Sequence, residues 1–167
     1  MEFEVGDIQS VLTRIETTAG ETPPPSVLTP LLALADGRAD HVIASYQSSS
    51  EDGTTWHIVA SAGRALITVD ASSPRSAWTL DNTYAGDTLR EGEQLDARLV
   101  RLEDVAAVQL VETTHLNKSK AWSFHGRWRL VLRDGGSVDI HASQRTAGAR
   151  GACDAFAAHL MAALTTP

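Results

Sequence analysis

The stretch that decides the fold is "AWSFHGRWRLVLRDGGSVDIHAS", residues 121–143. From Trp122 to Leu132 its even positions are apolar or glycine, while its odd positions from Ser123 to Arg133 are mostly polar or charged. Alternation with a period of two is typical of a β-strand that has one face on a hydrophobic core. The stretch therefore predicts a long strand, a glycine-rich turn and a short second strand.

The apolar residues also predict the register of this hairpin, because residues that oppose each other across antiparallel strands share a face. Three opposed pairs follow from that rule: Leu132 with Val138, Leu130 with Ile140, and Trp128 with Ala142. The loop left between the strands is residues 134–136, Asp-Gly-Gly. Its last glycine suits the positive φ that a three-residue hairpin loop requires at that position.

The same register places a set of basic and histidine side chains on the solvent-facing side of the strand pair. The set comprises His125, Arg127, Arg129, Arg133 and His141, and it would be extended by Lys118 and Lys120 in the preceding polar turn. Guanidinium and ammonium groups bind phosphate and carboxylate, so this strip is the candidate anion-binding or partner-binding site. The alternative interpretation is a solvated polar face without a ligand, or a face that the acidic N-terminal half covers.

The flanking sequence predicts helices near both ends of the chain and strands between them. Apolar residues at helical spacing favour a helix over residues 7–20, capped by Asp7 and Gly20, and a second helix over residues 26–35. A C-terminal helix over residues 147–164 carries an apolar stripe that must pack on the sheet. The remaining strands are predicted over residues 41–47, 56–60, 65–69, 95–102 and 105–114.

Residues 71–96 are the least organised part of the sequence, being rich in Ser, Gly, Asp and Glu. A structureless loop of that length is uncommon inside a compact domain. We therefore expect a short strand at residues 76–80 (SAWTL), anchored by Trp78, and a mobile segment over residues 81–94.

Bulk composition narrows the functional classes. The 167-residue chain has a formal net charge of -7, which argues against general binding of nucleic acid or anionic membranes. The acidic charge is concentrated early: residues 1–97 hold 15 acidic and 5 basic residues, and residues 98–167 hold 6 acidic and 9 basic ones. This asymmetry indicates either a basic binding face or two regions of one fold that attract each other.

The sequence also carries signals about the compartment. Its single cysteine, Cys153, excludes an intrachain disulfide and fits the reducing cytoplasm. The acidic N-terminus does not predict a secretion signal, and no apolar run approaches the roughly 18 residues that span a bilayer.

No motif for phosphate binding, dinucleotide binding, metal binding or a serine nucleophile occurs in the sequence. The predicted register also separates His125 from the Arg129–His141 pair by four residues, or roughly 13 Å at strand rise. The two histidines could not then share a zinc ion, whose ligands lie about 2.1 Å from the metal. We therefore expect no catalytic residue, no metal and no cofactor.

From residue 41 onward the order of elements resembles the bacterial pleckstrin-homology-like (PH-like) domains. The resemblance lies in a β meander, the strand with a polar bend VRLEDVAAVQL (residues 100–110), the hairpin WRLVLRDGGSVDIHA (128–142) and the amphipathic C-terminal helix. Over residues 41–164 it implies an α+β fold in which a strongly bent antiparallel sheet, or partly open barrel, is capped by that helix. The first 40 residues fall outside the family's pattern. We expect residues 1–40 to form a helical segment packed on a main domain of residues 41–167.

The resemblance and the missing catalytic motifs favour a non-enzymatic cytoplasmic domain that binds a protein partner. A second copy of the chain, docked through a sheet edge or face, would be another form of the same role. One alternative is an anion or nucleic-acid binder that uses the arginine strip, with binding that weakens steeply as salt rises. The other is a small metal-dependent hydrolase, which predicts a pocket where at least three histidines or carboxylates converge.

Overall fold

The computed structural model describes residues 4–82, 88–116 and 123–165, with the backbone alone at residues 114–116, 123 and 124. Three α-helices and seven β-strands occur within these residues. In chain order they are α1 (Val5–Ala19), α2 (Pro25–Leu34), β1 (His41–Ser49), β2 (Gly53–Ala62), β3 (Ala65–Ser73), β4 (Gln94–Arg101), β5 (Val105–Leu116), β6 (Ser123–Leu132), β7 (Ser137–Ile140) and α3 (Ala147–Thr165). Lys118, Lys120 and Trp122 lie outside the described residues.

The α+β class predicted from the sequence is confirmed. The strands form two antiparallel sheets, one with the order β1-β2-β3-β4 and one with the order β5-β6-β7. The described strands therefore do not make one continuous bent sheet, and they form no closed barrel. None of the described helices has the length and apolar content that a membrane span requires. The first helix begins earlier than expected, because its N-cap is Glu4 and not Asp7, whereas Gly20 ends it in a left-handed conformation as expected.

The four-stranded sheet lies between two hydrophobic layers, which explains the uninterrupted apolar runs of its strands. Ile58, Val59 and Ala60 are consecutive and all are buried, so both faces of β2 are covered. On one face Ile58 and Ala60 pack with the apolar residues of α1 and α2. On the other face Val59 packs with β5, β6, β7 and α3. The second layer is the one that positions the site.

The outer edge of β1 is occupied by side chains from distant parts of the chain. The Thr18 hydroxyl of α1 accepts a hydrogen bond from the Ala44 amide at 2.9 Å. The Ser143 hydroxyl accepts one from the Tyr46 amide at 2.5 Å and donates one to the Tyr46 carbonyl at 2.7 Å. These bonds satisfy edge groups that would otherwise invite pairing with another strand. They also fix the segment after β7 against β1.

The strands predicted over residues 56–60 and 65–69 were expected to form a hairpin with its turn at residues 61–64, which places Ile58 opposite Ile67. This hairpin and the one over residues 128–142 both form, but each pairs two residues out of the expected register. In the second hairpin Trp128 lies opposite Ile140 and Leu130 lies opposite Val138. The turn has moved with the register: the Leu132 amide donates a hydrogen bond to the Gly136 carbonyl. The positive φ, 90°, is therefore at Gly135 and not at Gly136, where it was expected. In the first hairpin Ile58 lies opposite Val69 and Ala60 lies opposite Ile67. A shift of two residues leaves every side chain on the same face, so the apolar pattern is satisfied by both registers.

The predicted strand at residues 76–80 is absent: these residues have no strand, and a 3₁₀ turn follows at Leu80–Asn82. Trp78 is nevertheless fully buried, as expected. Its carbonyl accepts a hydrogen bond of 2.7 Å from the Trp56 indole, which does the anchoring that strand pairing was expected to do.

Residues 81–94 were predicted to be mobile, but the Glu93 carboxylate near the end of this segment is hydrogen-bonded to residues that follow β3 or lie at its end. The Glu93 side chain is 1% exposed and accepts hydrogen bonds from the Ser73 hydroxyl at 3.0 Å, the Arg75 Nε at 2.6 Å and the Arg90 amide at 2.8 Å. Burial alone would raise the pKa of Glu93, but these donors outweigh it and hold the pKa below its usual value. Sequence composition misses such an anchor because the anchor is polar.

Glu93→Gln should lower the free energy of unfolding by about 2–3 kcal/mol, because it removes the charge that three donors share. Urea unfolding followed by circular dichroism measures this change. Glu91→Gln is the control, since Glu91 is exposed in the same loop and its substitution should change stability by less than about 0.5 kcal/mol. Equal losses in the two variants would contradict the anchoring role.

Candidate functional site

A cleft of about 590 Å³ opens between β6, the segment that follows β7 and the first turns of α3. Its lining is rich in basic and histidine side chains and contains one carboxylate. These residues are His125, Arg127, His141, Arg145, Arg150 and Glu112. The cleft therefore gathers three of the residues predicted from the sequence and adds two arginines that the sequence did not single out.

Asp154 of α3 fixes the helix against β6 and so forms one wall of the cleft. Its Oδ1 accepts hydrogen bonds from the Gly126 amide at 2.9 Å and from the Trp128 indole at 2.8 Å. Its Oδ2 lies 2.8 Å from His125 Nδ1. Burial would raise the pKa of Asp154, but these hydrogen bonds outweigh it and lower the pKa. The carboxylate stays charged, so His125 Nδ1 carries the proton of this hydrogen bond.

Gly126 makes that contact possible. A Cβ atom at this position would lie 2.5 Å from the Leu110 Cδ1 atom and 2.7 Å from the Trp128 Nε1 atom. The Trp128 indole therefore lies across the glycine, where its N–H reaches Asp154. This explains why the apolar face of the strand contains one residue without a side chain.

The predicted strip of basic side chains is divided between the cleft and its surroundings. The Asp139 carboxylate accepts hydrogen bonds from Arg129 Nε at 2.6 Å and from the Arg127 guanidinium at 3.3 Å. The hydrogen bond from Arg129 is the main cause that lowers the pKa of Asp139, so this carboxylate is charged and compensates Arg129. Arg133 donates to the Glu103 carbonyl at 2.7 Å and does not line the cleft. Of the arginines in the strip, only Arg127 reaches the cleft among the described residues.

Arg145 and Arg150 come from outside the hairpin and complete the cleft. The Gln144 amide donates to the Thr18 carbonyl at 2.9 Å, which fixes the backbone beside Arg145. The Thr146 hydroxyl accepts a hydrogen bond of 3.1 Å from the Ala149 amide and so caps α3 one turn before Arg150. Neither guanidinium has a hydrogen bond or ion pair within the described part of the chain. These are the cations that remain available to a ligand.

His141 and His57 form a stacked pair where the two sheets meet. Their ring centroids are 5.5 Å apart and their planes differ by 13°. His57 Nδ1 lies 2.6 Å from the Asp70 carboxylate, and its Nε2 lies 2.9 Å from the Asp139 carbonyl. Both partners are acceptors, so both ring nitrogens must donate and the ring is an imidazolium.

The pKa shifts of the two rings follow from this geometry. Burial would lower the pKa of His57, but the hydrogen bonds to Asp70 and Asp139 outweigh it and raise the pKa. Burial, the charged His57 and Arg127 together lower the pKa of His141. The pair therefore combines one ring whose pKa is raised with one ring whose pKa is lowered.

Two expectations about the histidines are wrong. His125 and His141 do not lie on an open sheet face: both are half-buried, because His125 contacts α3 and His141 packs on a residue of the other sheet. They are also closer along the strands than expected, since Ile140 pairs with Trp128 and the next residue, His141, comes beside Arg127. The apolar pattern could not reveal either fact, because both depend on the packing of the second sheet and α3.

The described residues contain no group of three or more histidines, cysteines or carboxylates placed to hold a metal ion. Cys153 also lines the cleft, but burial raises its pKa to about 12. Its thiol is therefore protonated at neutral pH and is a poor nucleophile.

No protein-family model, curated protein or solved structure matches the chain.

Gly126→Ala should destabilise the protein by about 1–3 kcal/mol, because the added methyl displaces Leu110 or moves the Trp128 indole away from Asp154. Thermal and urea unfolding measure the loss. Gly151→Ala is the matched control, since a Cβ there meets nothing within 4 Å and lies in α3. That variant should gain about 0.5–1 kcal/mol from helix propensity. A harmless Gly126→Ala would contradict the packing described.

His57 should stabilise the fold most at acid pH. Its folded-state pKa is raised above the model-peptide value of 6.5, so its contribution is fully present below that pH and is lost as the pH rises through the folded-state pKa. The stability difference between wild type and His57→Gln should therefore shrink as the pH rises above about 6.5. Urea unfolding at several pH values tests this, and Asp70→Asn should reduce the same pH dependence. A difference that grows with pH would contradict a charged His57.

Proposed function

We propose that this protein is a non-enzymatic binding domain whose cleft recognises a negatively charged group on a protein partner. The observation that carries the proposal is the convergence of Arg127, Arg145 and Arg150 on one cleft, two of them without a partner among the described residues. Like charges gathered in a concave site repel each other, and a bound oxyanion relieves that repulsion. The convergence stands out in a chain whose formal net charge is -7.

The ligand chemistry that fits the cleft is a phosphate or carboxylate. Guanidinium groups bind both through paired N–H donors, and three arginines against Glu112 leave the lining with a positive excess. The first turn of α3 adds the positive end of a helix dipole beside Arg150. A volume of about 590 Å³ lies within the range of small-ligand pockets, so the site has room for an acidic residue and its neighbours in a peptide.

A protein partner is favoured over a nucleic acid by charge and by architecture. The acidic chain as a whole repels a polyanion, whereas a single acidic group can enter a local basic cleft. The four-plus-three strand arrangement and the C-terminal helix support the PH-like resemblance, and with it a scaffolding role by analogy. The lone buried Cys153 supports a cytoplasmic location.

Arg150→Gln and Arg145→Gln should each weaken binding of O-phosphoserine at least about tenfold, because each removes one charge-assisted contact. Chemical-shift titration of ¹⁵N-labelled protein gives the dissociation constants. Arg133→Gln is the matched control: it removes the same charge from the predicted strip but lies outside the cleft, so its affinity should equal that of wild type.

Two outcomes would contradict the proposal: equal weakening in all three variants, or no binding to wild type. Two other results together would favour the nucleic-acid alternative. One is tighter binding to an oligonucleotide than to phosphoserine. The other is a dissociation constant that rises steeply with salt concentration, as expected when several counterions are released on binding.

A further inference from the structure

We infer that binding of an anion in the cleft is coupled to uptake of a proton by His141. The inference rests on the proposed function, because it assigns a protonation event to the same site. His141 is the residue that joins the cleft to the charged histidine at the meeting of the two sheets. Its ring lines the cleft on one side and stacks on His57 on the other.

In the ligand-free protein the surroundings of His141 disfavour a second positive charge. His57 of β2 is held as an imidazolium by Asp70 and by the Asp139 carbonyl. Arg127 of β6 adds a further cation beside the ring. The carboxylate of Asp139 opposes these charges, but Arg127 and Arg129 already share it. These surroundings keep His141 neutral at neutral pH.

An anion changes this balance because it adds negative charge on the cleft side of the ring. The other charged or titratable groups around the cleft are Glu112 of β5, His125 of β6, Arg145 in the segment after β7 and Arg150 of α3. A ligand held by the arginines offsets the repulsion that His57 and Arg127 exert on His141. The His141 Nδ1 atom is buried and has no hydrogen-bond partner among the described residues, so protonation at this atom breaks no existing hydrogen bond.

Coupling of this kind is reciprocal: if the anion favours the protonated ring, the protonated ring favours the anion. Affinity should then rise as the pH falls through the range where free His141 is neutral and liganded His141 is charged. For one proton the change is at most about tenfold per pH unit. The site would release its partner as the pH rises.

Isothermal titration calorimetry with inorganic sulfate tests the coupling, because sulfate does not titrate near neutral pH. Titrations at about pH 6.5 in buffers of different ionisation enthalpy give the number of protons taken up per sulfate bound. We expect a substantial fraction of one proton in wild type and none in His141→Gln, whose remaining affinity for sulfate should no longer rise as the pH falls. His41→Gln is the control. Like His141, His41 has a lowered pKa and lies beside another histidine, with 4.5 Å between the ring centroids of His41 and His159. Unlike His141, it does not line the cleft. Its proton uptake should match wild type.

The outcomes separate the inference from the function on which it rests. Absence of sulfate binding to wild type would overturn the proposed function. Binding without proton uptake, or uptake that persists in His141→Gln, would overturn the coupling alone. Should His141→Gln fail to fold, NMR titration of the wild-type imidazole gives the same answer. The pKa of His141 should rise by about one unit when sulfate is present, and an unchanged pKa would overturn the inference.

Discussion

The hydrogen bonds that the Asp154 carboxylate accepts from β6 are the constraint on which the cleft depends. They hold α3 against the three-stranded sheet and turn the His125 ring so that its Nδ1 faces the helix. Arg150, one turn earlier on the same helix, is thereby brought to the cleft that Arg127 of the strand also lines. The close approach requires Gly126, because a side chain there would displace the indole that donates to Asp154.

The sequence predicts the faces of the strands better than their partners. Trp128, Leu130 and Ile140 are buried together as the alternation requires, yet the pairing differs from the expected one by two residues. The reason is that such a shift exchanges one apolar neighbour for another and leaves the core face unchanged. The glycine pair at 135–136 does not decide between the registers either, since a glycine can end the loop in both.

The residues of the candidate site could also be predicted only in part from the sequence, but for a different reason. His125, Arg127 and His141 could be found because they belong to one hairpin, in which a strand pattern relates their positions. Arg145, Arg150 and Asp154 could not, because their contribution depends on where α3 packs, and periodicity gives only the face of a helix, not its partner. The anchoring of the loop by Glu93 and Trp78 also could not be predicted from the pattern of apolar residues. Its contacts are polar: a buried ion pair and a hydrogen bond to a carbonyl.

Charge in this protein is distributed so that carboxylates compensate most of the cations near the cleft and leave a few available. Asp139 compensates Arg129, and Asp70 compensates His57, whereas Arg145 and Arg150 form no ion pair among the described residues. The most direct test of this account is a crystal structure of the protein with bound selenate, located by its anomalous signal. The account predicts selenate between the guanidinium groups of Arg127, Arg145 and Arg150. Selenate bound instead at Arg129 and Arg133, outside the cleft, would contradict it.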